Sequence, residues 1–418
     1  MPLKLSLIIS ISSALILSLN IFFISCNNKI ANVHDEEPFI AEEQLPEPEP
    51  ELSEAQILLL RLEYYREQAA LIAASMDEDQ LIAQCLLTGL GSNTSLSSSL
   101  HNMLSEIPAG GIMLFRYNLA SEKEDISSFI QDCVSLIEEK SGITPFIAVD
   151  HEGGLVQRLM QGYIRLPAAL HFWERANEEG WEAALSGLES LAGSSAMEIR
   201  ETGITMNLAP VVEILNPDNR IFLDTRSYGP DPEFVKMAAS AFIRGMESAG
   251  IASVLKHFPG NSAQDPHYEN SIIMAGYLEL AGMTEPFRGI IPDLHPAAIM
   301  ISHSIVRAID PDTNSSLSPF IISWLREDMG FRGIVLSDDY NMRAVSSRGI
   351  SAENAAVLAL NAGIDMIMCW PHNINSVHNA ILDALNDNRL PRERLVDAAE
   401  RILAQKIRYG LISMDKIR

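Results

Sequence analysis

Cations are scarce in this chain: 30 Lys and Arg stand against 55 Asp and Glu in 418 residues, a formal charge of −25 at pH 7. Phosphate backbones are held by basic faces, so nucleic acid is excluded as a partner. A neutral or cationic substrate is favoured instead. Cysteine is scarce too. Of the four present, Cys85, Cys133 and Cys369 are too scattered for a zinc motif, and an odd number cannot all pair internally. They are read as buried thiols. No glycine-rich nucleotide loop follows the first apolar run of the main body, which argues against a doubly wound open sheet.

Apolar residues are abundant, at 47%, enough for one large barrel or two ordinary domains. The chain divides into residues 1–25, 26–52 and 53–418. Residues 1–25 read as a targeting segment, with Lys4 as a basic start and an apolar run from Leu5 to Ile24. Phe23-Ile24-Ser25-Cys26 resembles the lipobox of bacterial lipoproteins, in which the Cys is lipidated after cleavage. An uncleaved anchor is the alternative, since the run is nearly long enough to span a bilayer. Both readings export the rest of the chain and tether it to a membrane of the bacterial cell envelope. Residues 26–52 read as an acidic linker. Nine acidic residues and no Lys or Arg lie between His34 and Glu54, and Pro-Glu alternation keeps such a segment extended.

Ser53 with Gln56, and Asp77 with Gln80, are capping boxes that start two helices. On the first of these, Ile57, Leu60 and Tyr64 read as core or packing surface. Beyond them, apolar runs recur at Leu86–Leu90, Ile112–Phe115, Phe146–Val149, Met206–Ala209, Ala252–Leu255, Ala298–Ser302, Ile334–Ser337 and Met366–Cys369. Helical patterns separate most of them, among them Ser121–Glu139, Trp181–Thr202, Asp231–Ala249, Pro319–Met329 and Ala352–Ala362. Eight strands alternating with helices predict a single (β/α)8 barrel of the TIM type over residues 53–418. Polar residues close the runs: Arg116, Asp150, Lys256-His257, His303, Asp338 and Trp370, with Asn207 inside the fourth. In such a barrel the C-terminal strand ends surround the active site.

One stretch, Ile251 to Ser271, stands out. Its apolar start breaks into Lys256-His257-Phe258-Pro259-Gly260, where Pro and Gly predict a loop. Pro266 biases Asp265 towards extended backbone, in which residues 265 and 267 project to the same side. The Asp265 carboxylate could then hold one nitrogen of His267 and leave the other free for proton transfer. A surface turn with no chemistry is the other reading of the same residues.

Five stretches together resemble glycoside hydrolase family 3, in its β-N-acetylglucosaminidase (β-N-acetylhexosaminidase) branch. They are Ala148 to Arg158 (AVDHEGGLVQR), Asn207 to Val211, Thr225 to Gly229, Lys256 to Gly260, and Ser337-Asp338-Asp339. The resemblance implies a retaining exo-glycosidase that removes terminal N-acetylglucosamine, with Asp338 as nucleophile, His267 as acid/base and Asp265 as its orienting partner. It implies that Asp150, Arg158, Arg226, Lys256 and His257 contact the sugar. Strand alternation alone does not choose between Asp338 and Asp339. Asp339 also reads as the N-cap of a helix starting at Tyr340. Glu152 has a structural reading, with Gly153 and Gly154 letting the backbone turn close to the sugar. Asn207 and His303 are open between pocket wall and satisfied core polar group. The chain departs from the family pattern at His151, Leu155, Glu213, Asn261-Ser262 and Pro266.

No cofactor or metal is expected, and a monomer acting on a carbohydrate is. Export points to peptidoglycan-derived fragments as substrate. The alternatives are a phosphate-using phosphorylase of the same family, a metal-dependent barrel hydrolase using His257, His267, His303 and Asp338, and a sugar-binding lipoprotein without catalysis. The metal reading lacks the His-x-His pair expected in Leu86–Ser92.

Overall fold

The structure is a computed structural model that describes residues 52–119 and 122–413. The targeting segment, Cys26 and the acidic linker up to residue 51 lie outside the described residues. From Leu52 onward the chain is one compact unit.

The eight expected strands are all present: β1 Leu86–Gly89, β2 Gly111–Leu114, β3 Phe146–Val149, β4 Met206–Asn207, β5 Ala252–Phe258, β7 Ala298–Ile301, β9 Ile334–Ser337 and β10 Ile367–Cys369. A short parallel pair, β6 Ile272–Ile273 and β8 Ile305–Val306, is added outside the main sheet. The main sheet is parallel throughout, in the order β10-β1-β2-β3-β4-β5-β7-β9. A parallel bridge from Leu336 to Met366 brings its ends together into a nearly closed barrel. Every residue of these eight strands is buried. Such strands are covered by side chains inside and helices outside, so they read as continuous apolar runs.

Helix starts follow local chemistry. Ser53 and Gln56 form the expected reciprocal cap of Glu54–Ala74, as do Asp77 and Gln80 for Glu78–Gln84. Asp231 accepts from the Phe234 N–H at 2.9 Å, and Pro232 opens the helix Pro232–Ser248. Two expectations are corrected. Ile57, Leu60 and Tyr64 are not core but 38%, 53% and 50% exposed, because the helix buries its opposite side through Leu62, Ala69 and Ala73. Pro319–Met329 is not one α-helix: it is α over Pro319–Ser323 and widens to a π turn over Trp324–Asp328.

β5 is the strand that most concerns the site. A loop was expected from Lys256, yet the strand continues through Lys256, His257 and Phe258. Its pairing with β7 shifts register between Leu255 and Phe258. A regular strand would point Lys256 and His257 to opposite faces. The irregularity lets both line the same cleft.

Candidate active site

A cleft of about 310 Å³ opens at the C-terminal strand ends, at the small end of the range for ligand sites. Its lining brings together seven of the eight predicted site residues: Asp150, Arg158, Arg226, Lys256, His257, His267 and Asp338. The eighth, Asp265, stands behind His267. Residues far apart in sequence supply this one surface, from Asp150 after β3 to Asp338 after β9.

One wall is an ion cluster. The Lys256 ammonium donates to Asp150 at 2.5 Å and lies 2.7 Å from Glu152. Arg226 grips both oxygens of Glu152, each at 2.8 Å, and Arg158 donates to the other oxygen of Asp150 at 3.2 Å. Burial alone would raise the Glu152 carboxyl, but Lys256 and Arg226 pull it well below the carboxylate range. Burial would likewise lower Lys256, and Asp150 with Glu152 reverse that and hold it raised. Glu152 is therefore a fixed anion that orients two cations, unsuited to donating a proton. Gly153 and Gly154 turn the backbone at φ of 95° and 54°, as expected, and neither has room for a side chain. A Cβ at Gly153 would lie 2.4 Å from the Pro167 carbonyl, and one at Gly154 2.7 Å from Ala168 Cβ. The close approach is to the chain itself.

Behind β5, Glu213 accepts from His257 Nδ1 at 2.7 Å, which fixes the orientation of the ring at the cleft. The same carboxylate accepts from the Asn261 backbone at 2.6 Å and its side-chain amide at 3.0 Å. Glu213 thus ties the cleft-lining His257 imidazole to the start of the loop that bears His267. Sequence reading noted Glu213 and Asn261 only as departures from pattern; their direct pairing needed the fold.

Asp338 and Asp339 lie just beyond the end of β9, so strand alternation does not apply, and both line the cleft. Asp338 accepts from the Asp339 N–H at 2.8 Å. Burial would raise its carboxyl, yet the imidazoles of His303 and His257 and that N–H hold it below the ordinary value. Asp339 accepts from the Asn341 backbone and amide, each at 2.8 Å. It closes a turn rather than capping a helix, since the next helix is Arg343–Ser346. His303 is a satisfied polar group. Its Nε2–H donates to the Asp339 carbonyl at 3.0 Å, so its Nδ1 accepts from Ser316 Oγ–H at 2.7 Å, and burial pushes its pKa down. Asn207 is one as well, fully buried and bonded to both backbone groups of His151.

In the loop after β5, Asp265 Oδ1 accepts from His267 Nδ1 at 2.7 Å and from the His267 backbone N–H at 2.9 Å. The two side chains are 41% and 55% exposed. Pro266 has no N–H to donate, but its carbonyl accepts from Ala344 N–H at 3.1 Å and it lines the cleft with Asp338. Ser271 fastens the other end, within 3.1 Å of Ser262 N and 2.8 Å of Ser304 Oγ. Cys85, Cys133 and Cys369 are buried free thiols, each pushed up to about 12 by burial.

Residues 78–405 match the family described as glycosyl hydrolase family 3 N terminal domain. The chain belongs to this family. It is a glycoside hydrolase, and its barrel is the family's catalytic fold. A beta-hexosaminidase of Methylococcus capsulatus is 35% identical over 301 residues, 70% of this chain and 84% of that protein. One of Thioalkalivibrio sulfidiphilus is 32% identical over 304 residues, 71% of this chain and 83% of that protein. Among solved structures, a family 3 beta-N-acetylglucosaminidase from Paenibacillus sp. str. FPU-7 superposes with a TM-score of 0.75 at 28% identity. That match covers 81% of this chain and 63% of the Paenibacillus chain.

Proposed function

We propose that this family 3 glycoside hydrolase is a retaining exo-β-N-acetylhexosaminidase that removes terminal N-acetylglucosamine from glycans. The observation that carries the reading is the Asp265–His267 pair standing at the mouth of the cleft that holds Asp338. The relatives named beta-hexosaminidase support the substrate class.

In this mechanism Asp338 attacks the anomeric carbon, and its carboxylate becomes the ester of a covalent glycosyl-enzyme. His267 gives its proton to the departing oxygen through Nε2, then takes one from the water that attacks the ester. Asp265, bonded to Nδ1, fixes the tautomer and stabilises the imidazolium between the two steps. Asp150, Arg158, Arg226, Lys256 and His257 bind the sugar, where paired carboxylate and cation contacts suit vicinal hydroxyls and reject sugars lacking them. Cell-wall fragments released from peptidoglycan are the proposed natural source, reached by a chain exported and anchored through a diacylated Cys26.

A slow fluorosugar N-acetylhexosaminide, followed by intact mass and peptide mapping, should add one sugar to Asp338. Turnover without any adduct would overturn the retaining mechanism. Lipid labelling that survives Cys26→Ala would overturn the anchor.

A further inference from the structure

Three of the positions at which the chain departs from the family pattern, Glu213, Asn261 and Ser262, lie on one hydrogen-bonded path. The path starts at His257, which lines the cleft, and ends at the base of the loop that carries Asp265 and His267. Glu213 Oε1 accepts from His257 Nδ1 and from the Asn261 side-chain amide, while its Oε2 accepts from the Asn261 backbone N–H. Gly260 makes the turn into Asn261 at φ 139°, a conformation that favours glycine. Ser304 Oγ–H then donates to Asn261 Oδ1 at 3.2 Å. Ser271 Oγ lies 2.8 Å from Ser304 Oγ and 2.9 Å from Ser262 Oγ, and it accepts from Ser262 N–H at 3.1 Å.

Ser262 and Ser271 bracket Asp265 and His267, so their contact clasps the two ends of the loop. The short pair outside the barrel sheet makes the clasp possible. β6 and β8 are parallel with Ile272 opposite Ile305, which sets the preceding residues, Ser271 and Ser304, side by side. Each of Glu213, Asn261, Ser262, Ser271 and Ser304 is 8% exposed or less. Asp265 and His267, by contrast, are open to solvent and have little packing of their own. A buried and satisfied polar network is rigid, and here it is the base on which an exposed pair stands.

We propose that Glu213, Asn261, Ser271 and Ser304 are positioning residues, a buried relay that aligns His267 with the bond to be cleaved and joins that alignment to the sugar contact at His257. The inference rests on the acid/base role proposed above for His267.

The test compares kcat/KM for methyl N-acetyl-β-glucosaminide, whose leaving group needs a proton, with that for the nitrophenyl glycoside, whose leaving group needs little help. Ser271 does not line the cleft, yet Ser271→Ala should lower the methyl value by roughly tenfold more than the nitrophenyl value, because small misplacements of a catalytic group are costly. Glu213→Gln offers one acceptor oxygen where two are used. It should show the same selective loss and also raise KM for both substrates, through His257. In a His267→Ala background Ser271→Ala should add no selective loss, since the relay acts through that imidazole. Ser271→Ala decides the matter alone if Glu213→Gln does not fold. Equal losses on both substrates in Ser271→Ala, no loss, or a selective loss that persists without His267 would overturn the relay while the acid/base role stands. A His267→Ala protein with no leaving-group preference would overturn that role and the relay with it. A wild-type protein that hydrolyses neither glycoside would overturn the proposed activity as well.

Discussion

At one end of the barrel Glu152 is buried against Arg226 and Lys256; at the other, before β10, Asp365 is buried against Arg326, Arg394 and Arg401. Each is a buried carboxylate held among cations. In both places burial alone would raise the carboxyl and the neighbouring cations pull it down. They differ in what remains unspent. Both Asp365 oxygens are taken by guanidinium groups, with the Val335 N–H added, and none of its side chain is exposed. Asp397 and Arg66 extend this network outward to the helix Glu54–Ala74, beside a cavity of about 700 Å³. At the C-terminal end, Asp150 and Arg158 are 19% and 28% exposed and face the cleft with Asp338 and His267. A closed ion network is structure, and an open one that lines a cleft with Asp338 is a candidate site. Cavity size does not tell them apart.

The open end should respond most strongly at Asp338. Asp338→Asn should lower kcat by at least ~10⁴-fold, as removal of a nucleophile does, and leave the urea midpoint near that of the wild type. His267→Ala should cost roughly 10²–10⁴-fold on substrates with poor leaving groups, which need protonation to depart. On a nitrophenyl substrate, slow deglycosylation should lower kcat and KM together, with rescue by azide. Asp265→Ala should give a milder form of that pattern. Equal slowing of all leaving groups, with no accumulated intermediate, would remove His267 from the acid/base role.

The opposite end should respond in stability and not in rate. Asp365→Asn leaves three guanidinium groups without their shared anion and should cost about 3–5 kcal/mol in urea unfolding, because an unpaired buried charge is the expensive state. The kcat of the protein that remains folded should hold. A pH-dependent effect is expected from Lys406, buried near the same end with Gln84 Oε1 at 2.7 Å as its hydrogen-bond acceptor. Burial lowers its pKa from 10.5 to about 7. Between those values the unfolded chain binds a proton that the folded one does not, so this group makes stability rise with pH across about 7 to 10.5. The slope is at most ~1.4 kcal/mol per pH unit, and Lys406→Met should flatten it in unfolding measured at several pH values. An unchanged slope would show that Lys406 stays charged.

Much of the fold was legible because a parallel barrel writes itself locally. Each strand is buried on both faces and appears as a short apolar run, and helix starts such as Ser53/Gln56 satisfy their own backbone within four residues. The site types were legible too, since Asp265 and His267 are close enough in sequence to meet without help from the rest of the chain. What misled was whatever depended on distant neighbours. Leu60 and Tyr64 look like core on a helix whose buried side is chosen by the helix Arg392–Arg408 it packs against.

The sequence by itself determined the alternation, the charge and the chemistry carried at each strand end, because those depend on residue type and short spacing. Only the tertiary structure decided that Lys256 and His257 share one cleft, through a register shift in β5. It alone brought Glu213 to both His257 and Asn261, and joined Trp370 to Phe115 over the missing side chain of Gly89. These are contacts between segments far apart in the chain, and their geometry exists only once the barrel has closed around them.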